Sequence, residues 1–65
     1  MNVKQNADYF RYLYELQASG RVNMFGAEPY LRKEFIELDR ETAKEILLYW
    51  MNNYDQVAKE LGVEV

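Results

Sequence analysis

The stretch from Leu38 to Leu61 constrains the fold of this chain more than any other segment. Its apolar side chains recur at steps of three and four residues, the spacing that lines up one face of an α-helix. They are Ala43, Ile46, Leu47, Trp50, Tyr54, Val57 and Leu61. Asp39 can cap the first turn of such a helix, and Gly62 can adopt the left-handed conformation that ends one. The pattern therefore predicts one long amphipathic helix over residues 40–61.

The first part of the chain predicts a shorter helix over residues 7–18. Asn6 precedes it and is a residue type that caps helix starts. Tyr9, Leu13 and Leu16 follow at helical steps. We expect these three side chains to form the stripe of this helix that faces the core.

A second short helix is predicted over residues 27–35. Pro29 fits its first turn, because the N–H that proline lacks would have no partner there. The segment before it carries the apolar residues Val22, Met24 and Phe25 in what its composition otherwise marks as a connection. We expect these three side chains to fill the core between the helices.

The predicted fold is therefore an all-α, small three-helix domain with a long C-terminal amphipathic helix. Residues 1–65 form a single helical domain in this interpretation, with the first two helices packed across the N-terminal half of the third. No hairpin signal, repeat or low-complexity tract is visible in the sequence.

The residue types exclude most catalytic and metal-binding chemistry. The 65-residue chain contains no cysteine and no histidine. Disulfides, zinc fingers, haem ligation, thiol nucleophiles and histidine acid–base catalysis are therefore excluded, and no acidic run has the spacing of a calcium loop. A chain of this length also has little room for a substrate cleft. We expect a protein that is not an enzyme and that has no cofactor and no metal site.

The charge is distributed unevenly along the chain. Positive and negative side chains balance over residues 1–44, so the whole net charge of −3 falls on residues 45–65. A protein that binds nucleic acid or anionic lipid indiscriminately normally carries a basic excess. The sequence also has neither an apolar run long enough to span a membrane nor the layout of a signal peptide. We expect a soluble, intracellular protein that lies in the cytoplasm and has no contact with membranes.

The two C-terminal predicted helices leave a DNA-binding alternative open. Helix, brief turn and helix in succession, with the small Ala43 in the second helix, resemble the outline of a helix-turn-helix. Four basic residues could form a phosphate-binding patch in that arrangement: Arg32, Lys33, Arg40 and Lys44. Glu41 and Glu45 alternate with them, however, and carboxylates are repelled by phosphates. An alternating, solvated helix face is the competing interpretation.

Tyrosines and an unusually wide apolar band predict a protein-binding surface. The chain has 6 tyrosines, and tyrosine is enriched in protein interfaces. Residues 46–51 are six apolar residues in succession, so this part of the helix is apolar all round and needs cover on every side. A homodimer or a groove of another protein would supply that cover, although packing within the chain is the alternative. The contact residues that we predict are Tyr12, Tyr14, Leu48 and Tyr49.

A family resemblance adds a biological setting. The segment NMFGAEPYL at residues 23–31, followed by Glu34 and Phe35 and then by Ala43 and the Trp50 region, resembles small uncharacterised proteins encoded by bacteriophages, including phages of cyanobacteria. The resemblance covers roughly residues 9–54 and implies a helical fold and a phage setting, without an activity. Residues 38–47 are also similar to a run in the small NblA-type adaptors that promote phycobilisome degradation.

These observations together predict a small phage-type protein that acts by binding another protein, as a modulator of a host protein or an accessory factor, in the host cytoplasm. The alternatives that stay open are a helix-turn-helix-like DNA-binding protein and a homo-oligomeric structural piece.

Overall fold

The computed structural model describes residues 1–20 and 23–65, and this part of the chain is helical with no β-strand. The predicted all-α class is therefore confirmed. The helices are α1 (Ala7–Ser19), α2 (Glu28–Glu34), α3 (Arg40–Asn52) and α4 (Tyr54–Leu61), and a short 3-10 turn (Met24–Gly26) precedes α2. Within residues 1–20 and 23–65, no helix is both long enough and apolar enough to cross a membrane.

The prediction of a single helix over residues 40–61 is wrong, and with it the count of three helices. Asn53 has φ −128° and ψ 33°, outside the helical region of the backbone, and it separates α3 from α4. The chain bends there so that α4 packs against both α3 and α1. The apolar repeat continues through the bend, so periodicity alone does not reveal it.

The core is built around α3, which packs against each of the other three helices. Trp50 is 1% exposed and is the largest of the fully buried side chains. The other buried side chains of α3 are Ala43, Ile46 and Leu47. They meet Leu31 from α2, Val57 and Ala58 from α4, and four residues of α1: Phe10, Leu13, Tyr14 and Leu16.

The buried face of α1 differs from the predicted stripe. Leu13 and Leu16 are buried as expected. Tyr9, however, is only half-buried, while Phe10 is completely buried and Tyr14 is 6% exposed. Tyr14 is covered by α4, where it contacts Tyr54, and the Phe10 ring lies 5.9 Å from the ring of Tyr49 in α3.

The helix ends match the sequence signals at three of four predicted positions. Asp39 Oδ1 accepts a hydrogen bond of 2.7 Å from the Thr42 N–H, and Gly62 ends α4 with φ +70°. Pro29 lies in the first turn of α2. Asn6, in contrast, does not cap α1 through its side chain, because its backbone (φ −109°, ψ 20°) lies outside the extended region of a capping residue. Its Nδ2 donates to the Asn2 carbonyl oxygen.

The predicted core plug before α2 is wrong for the aromatic residue. Met24 is half-buried, but Phe25 is 80% exposed, and Val22 lies outside the described residues. The cause is the 3-10 turn, in which Asn23 Oδ1 accepts a hydrogen bond of 2.9 Å from the Phe25 N–H. This turn directs the Phe25 side chain away from the core.

Candidate functional site

A groove between the start of α2 and the outer face of α3 is the strongest candidate site. It encloses about 430 Å³, and we refer to it as the α2–α3 groove. Its lining residues are Phe25, Glu28, Pro29, Arg40, Lys44, Leu47, Leu48 and Met51.

Helical periodicity explains which residues of α3 reach the α2–α3 groove. Arg40, Lys44 and Leu48 follow one another at steps of four residues, and Met51 comes three residues later, so the four side chains lie along one side of the helix. Leu48 is 45% exposed and Met51 is half-buried. Phe25 stands on the opposite side, held in place by the Asn23-capped turn. The groove therefore has apolar walls on both sides.

Charged groups surround one end of the α2–α3 groove. The Glu28 carboxylate lies 3.5 Å from Arg32 Nη1 and 3.6 Å from Arg40 Nε. The Arg40 side chain is nevertheless 80% exposed, and Lys44 lies one turn further along α3. This end of the groove thus carries more positive than negative charge. Two exposed carboxylates, Glu41 and Glu45, follow on the next strip of the helix surface.

Leu48 is the predicted contact residue that lines this groove, whereas Tyr14 belongs to the core. The Tyr14 hydroxyl donates a hydrogen bond of 2.5 Å to the Tyr54 carbonyl oxygen. Its ring meets the Trp50 and Tyr54 rings with centroid distances of 5.2 and 5.1 Å. Burial raises the pKa of the Tyr14 hydroxyl above the ordinary value of 10.0. With 6% of its surface exposed, Tyr14 has little area for contact with another molecule.

Tyr12 and Tyr49 lie at two other places on the surface and are both half-buried. The Tyr12 ring packs edge-on against Phe35 with a centroid distance of 5.7 Å. The Tyr49 ring lies 5.9 Å from the Phe10 ring. Tyr49 also borders a separate depression of about 550 Å³ that the N-terminal residues and α4 complete. The structure therefore does not bring the four predicted contact residues together.

Three of the four basic residues of the DNA-binding alternative form a cluster. Arg32 and Arg40 share the Glu28 carboxylate, and Arg40 and Lys44 line the same groove. Lys33 lies apart from them, beside Pro29 and Tyr30. A carboxylate at the centre of this cluster reduces its positive potential.

Five of the eight lining residues were absent from the predicted sites, and Phe25 and Met51 are the two of them that form the apolar walls opposite and beside Leu48. A helical projection from Leu48 would have identified Met51, because it lies three residues further along α3. Phe25 had a weaker signal. The asparagine two residues before it favours a capped turn, and a capped turn holds its side chains near the surface.

Among residues 1–20 and 23–65, no group of three or more acidic side chains is positioned to hold a metal ion. Comparisons of the chain with protein-family models, with curated proteins and with solved structures found no match.

Proposed function

We propose that this chain is a non-catalytic protein-binding module that holds a segment of another protein in the α2–α3 groove. The observation that carries the proposal is the position of Phe25, an aromatic side chain that is 80% exposed and faces Leu48 and Met51 across the groove. A single exposed apolar residue on a small protein is ordinary. Several that converge on one groove are typical of an interaction site.

The groove also indicates the chemistry of its partner. Its apolar walls favour a partner segment that inserts a large aliphatic or aromatic side chain, as in other helix and peptide grooves. Arg40 and Lys44 at one end favour a carboxylate on the partner beside that apolar anchor. The resemblance to phage-encoded proteins favours a host protein in the cytoplasm as its source.

Selection from a random peptide library with the intact chain as bait tests this proposal. We expect the recovered peptides to combine apolar anchors with acidic residues. Leu48→Asp should weaken their binding by about 30-fold or more, because it places a charge where an anchor side chain is buried.

Ile36→Asp is the matched control, because Ile36 is 89% exposed and does not line the groove. It should leave peptide binding unchanged. If Leu48→Asp and Ile36→Asp weaken binding equally, or if the selection recovers no groove-dependent peptide, the proposal fails.

DNA binding is the second candidate, and the convergence of Arg32, Arg40 and Lys44 favours it. A phosphate would have to compete with Glu28 for the two arginines. Titration with duplex DNA over a salt series tests this candidate: binding should weaken steeply with salt, and Arg40→Ala and Lys44→Ala should each reduce the salt dependence by about one phosphate contact. DNA binding that does not weaken with salt would exclude this candidate function.

A further inference from the structure

The bend between α3 and α4 is only one residue wide. The Asn53 N–H still donates to the Tyr49 carbonyl oxygen at 2.9 Å, and the Asn53 carbonyl oxygen accepts from the Val57 N–H at 2.9 Å. Helical hydrogen bonding therefore continues up to Asn53 and resumes directly after it. A change of about 65° in φ and about 75° in ψ at this single residue would bring it into the helical region and join the two helices.

Local interactions do little to stabilise the start of α4. No side chain caps its first turn, so the N–H groups of that turn lack the partner that a cap would supply. The Asn53 side chain is engaged elsewhere, since its Nδ2 donates to the Tyr49 carbonyl oxygen at 2.9 Å. A straight helix would recover the hydrogen bonds that are lost at the bend.

Tertiary contacts hold α4 in its bent position. Val57 and Ala58 are 0% and 2% exposed. Three side-chain hydrogen bonds reinforce this packing. They run from Tyr14 to the Tyr54 carbonyl oxygen, from the Tyr54 hydroxyl to Gln17 and from Arg11 to the Leu61 carbonyl oxygen. All three connect α4 to α1, in addition to the packing of α4 against α3.

A straightened helix could not keep these contacts within one chain. Residues 40–61 in a continuous helix would span about 33 Å, whereas the Cα atoms of the chain extend 26 Å along the longest axis. The end of the helix would project beyond the body and leave the surface on α1 uncovered. The α4 of a second copy carries the same residues and can therefore make the same contacts with that surface.

We propose that Asn53 is a hinge at which α3 and α4 join into one helix, and that two copies of this chain pair by exchanging α4. Each α4 then packs on the α1 surface of the other copy, through the same Val57, Tyr14 and Arg11 contacts. The apolar repeat that runs unbroken from Ala43 to Leu61 supports this arrangement, because it gives the straight helix a single continuous apolar face.

Two variants at the hinge test the exchange by their opposite effects on the straight helix. Asn53→Ala favours a helical backbone and Asn53→Gly disfavours it. The equilibrium between bent and straight helix should differ about 5-fold between the two variants at each hinge. A dimer has two hinges, so its association constant should differ about 30-fold. We expect sedimentation over a concentration series to show this difference in the dimer association constant. Moderate salt should be used, because each copy carries a net charge of −3.

A distance measurement distinguishes exchange from ordinary surface docking. The chain has no cysteine, so Glu41→Cys and Glu60→Cys can carry a pair of spin labels, diluted with unlabelled chain. The intrachain Cα separation should rise to about 29 Å in the dimer, above its value in the monomer.

Two results would overturn the exchange: a monomer for both hinge variants at every concentration, or a dimer whose intrachain label distance equals that of the monomer. If Asn53→Ala loses helicity, Asn53→Gln replaces it in both measurements and is judged by the same two results. The peptide selection at the α2–α3 groove is independent of this outcome.

Discussion

The two sides of α3 use aromatic and apolar residues in opposite ways. On the side that meets α1 and α4, Tyr14, Trp50 and Tyr54 form a cluster of edge-on and tilted rings with centroid distances of 5.1 to 5.2 Å. On the groove side, Leu48 and Phe25 remain 45% and 80% exposed. The first side is closed within the chain, and the second is open.

Hydrogen-bonding capacity explains part of this difference. A buried tyrosine needs an acceptor for its hydroxyl group, and Tyr14 finds one in the Tyr54 carbonyl oxygen. Phe25 has no hydroxyl group to satisfy, and its ring is exposed because its backbone N–H donates to Asn23 Oδ1 in the turn before α2. The comparison shows that the number of tyrosines is a poor guide to an interface in a small domain, since they can close a core as readily as they can meet a partner.

The largest expected effect comes from opening the closed side. Trp50→Ala should destabilise the protein by about 3–5 kcal/mol, because it leaves a large cavity among α1, α3 and α4. A domain of this size has a total stability of about 3–5 kcal/mol, so the variant should be largely unfolded at room temperature. Circular dichroism during urea unfolding would measure the loss, with Leu48→Ala on the open side as the control. If Trp50→Ala unfolds cooperatively at the wild-type midpoint, the closed side of α3 does not stabilise the fold more than the open side does.

Tyr14→Phe should have the next largest effect. It removes the hydrogen bond to the Tyr54 carbonyl oxygen but keeps the ring, and should cost about 1 kcal/mol. Tyr14→Ala would cost more, since it also empties the ring position. The free energy of unfolding from urea titration measures both, and Tyr30→Phe, on a ring that is 41% exposed, should stay within about 0.5 kcal/mol of the wild type.

The pH dependence of stability in the wild type and in Tyr14→Phe gives a second test of Tyr14. Its pKa is raised above 10.0 by burial, so the folded state binds its proton more tightly than the unfolded state. Stability should therefore fall as the pH rises from about 10 towards the folded pKa. Tyr14→Phe should lose this part of the alkaline decline, and an unchanged alkaline profile would place the hydroxyl in a solvated environment.

A smaller effect is expected at Asp39, which caps the first turn of α3 next to the groove residue Arg40. The hydrogen bond from the Thr42 N–H lowers the pKa of Asp39 below its ordinary value of 3.8. Its contribution to stability is complete above that value and is lost as the pH falls through the lower, folded pKa. Asp39→Asn keeps an acceptor oxygen but does not titrate, so acid unfolding should be less steep in that variant. If acid unfolding is equally steep in the wild type and in Asp39→Asn, protonation of Asp39 is not linked to unfolding.

The smallest effect on stability is expected on the open side. Phe25→Ser and Leu48→Ser should each change the free energy of unfolding by less than about 0.5 kcal/mol, because both side chains already meet solvent. A loss of several kcal/mol in either variant would show that the groove is closed in solution, and the two sides of α3 would then be alike.

Much of the secondary structure was predictable from local signals. The Asp39 cap, Pro29 in a first turn and Gly62 at a helix end act within a few residues of the chain, and all three appear as predicted. The bend at Asn53 was not predictable from the repeat, which continues through it. The candidate site was predicted only through Leu48 and two members of the basic cluster, because Phe25 was predicted to lie in the core.

The sequence by itself determined that this chain is helical and where most of its helices begin and end, because periodicity, caps and proline act through neighbouring residues. Only the tertiary structure decided that α4 turns back, that Tyr14 is buried and that Phe25 is exposed. The turn of α4 and the burial of Tyr14 depend on which distant surfaces meet, whereas the exposure of Phe25 follows from the turn that Asn23 caps. The contacts of α4 with α1 connect residues about 40 positions apart, and no local signal reports the free energy that such contacts contribute.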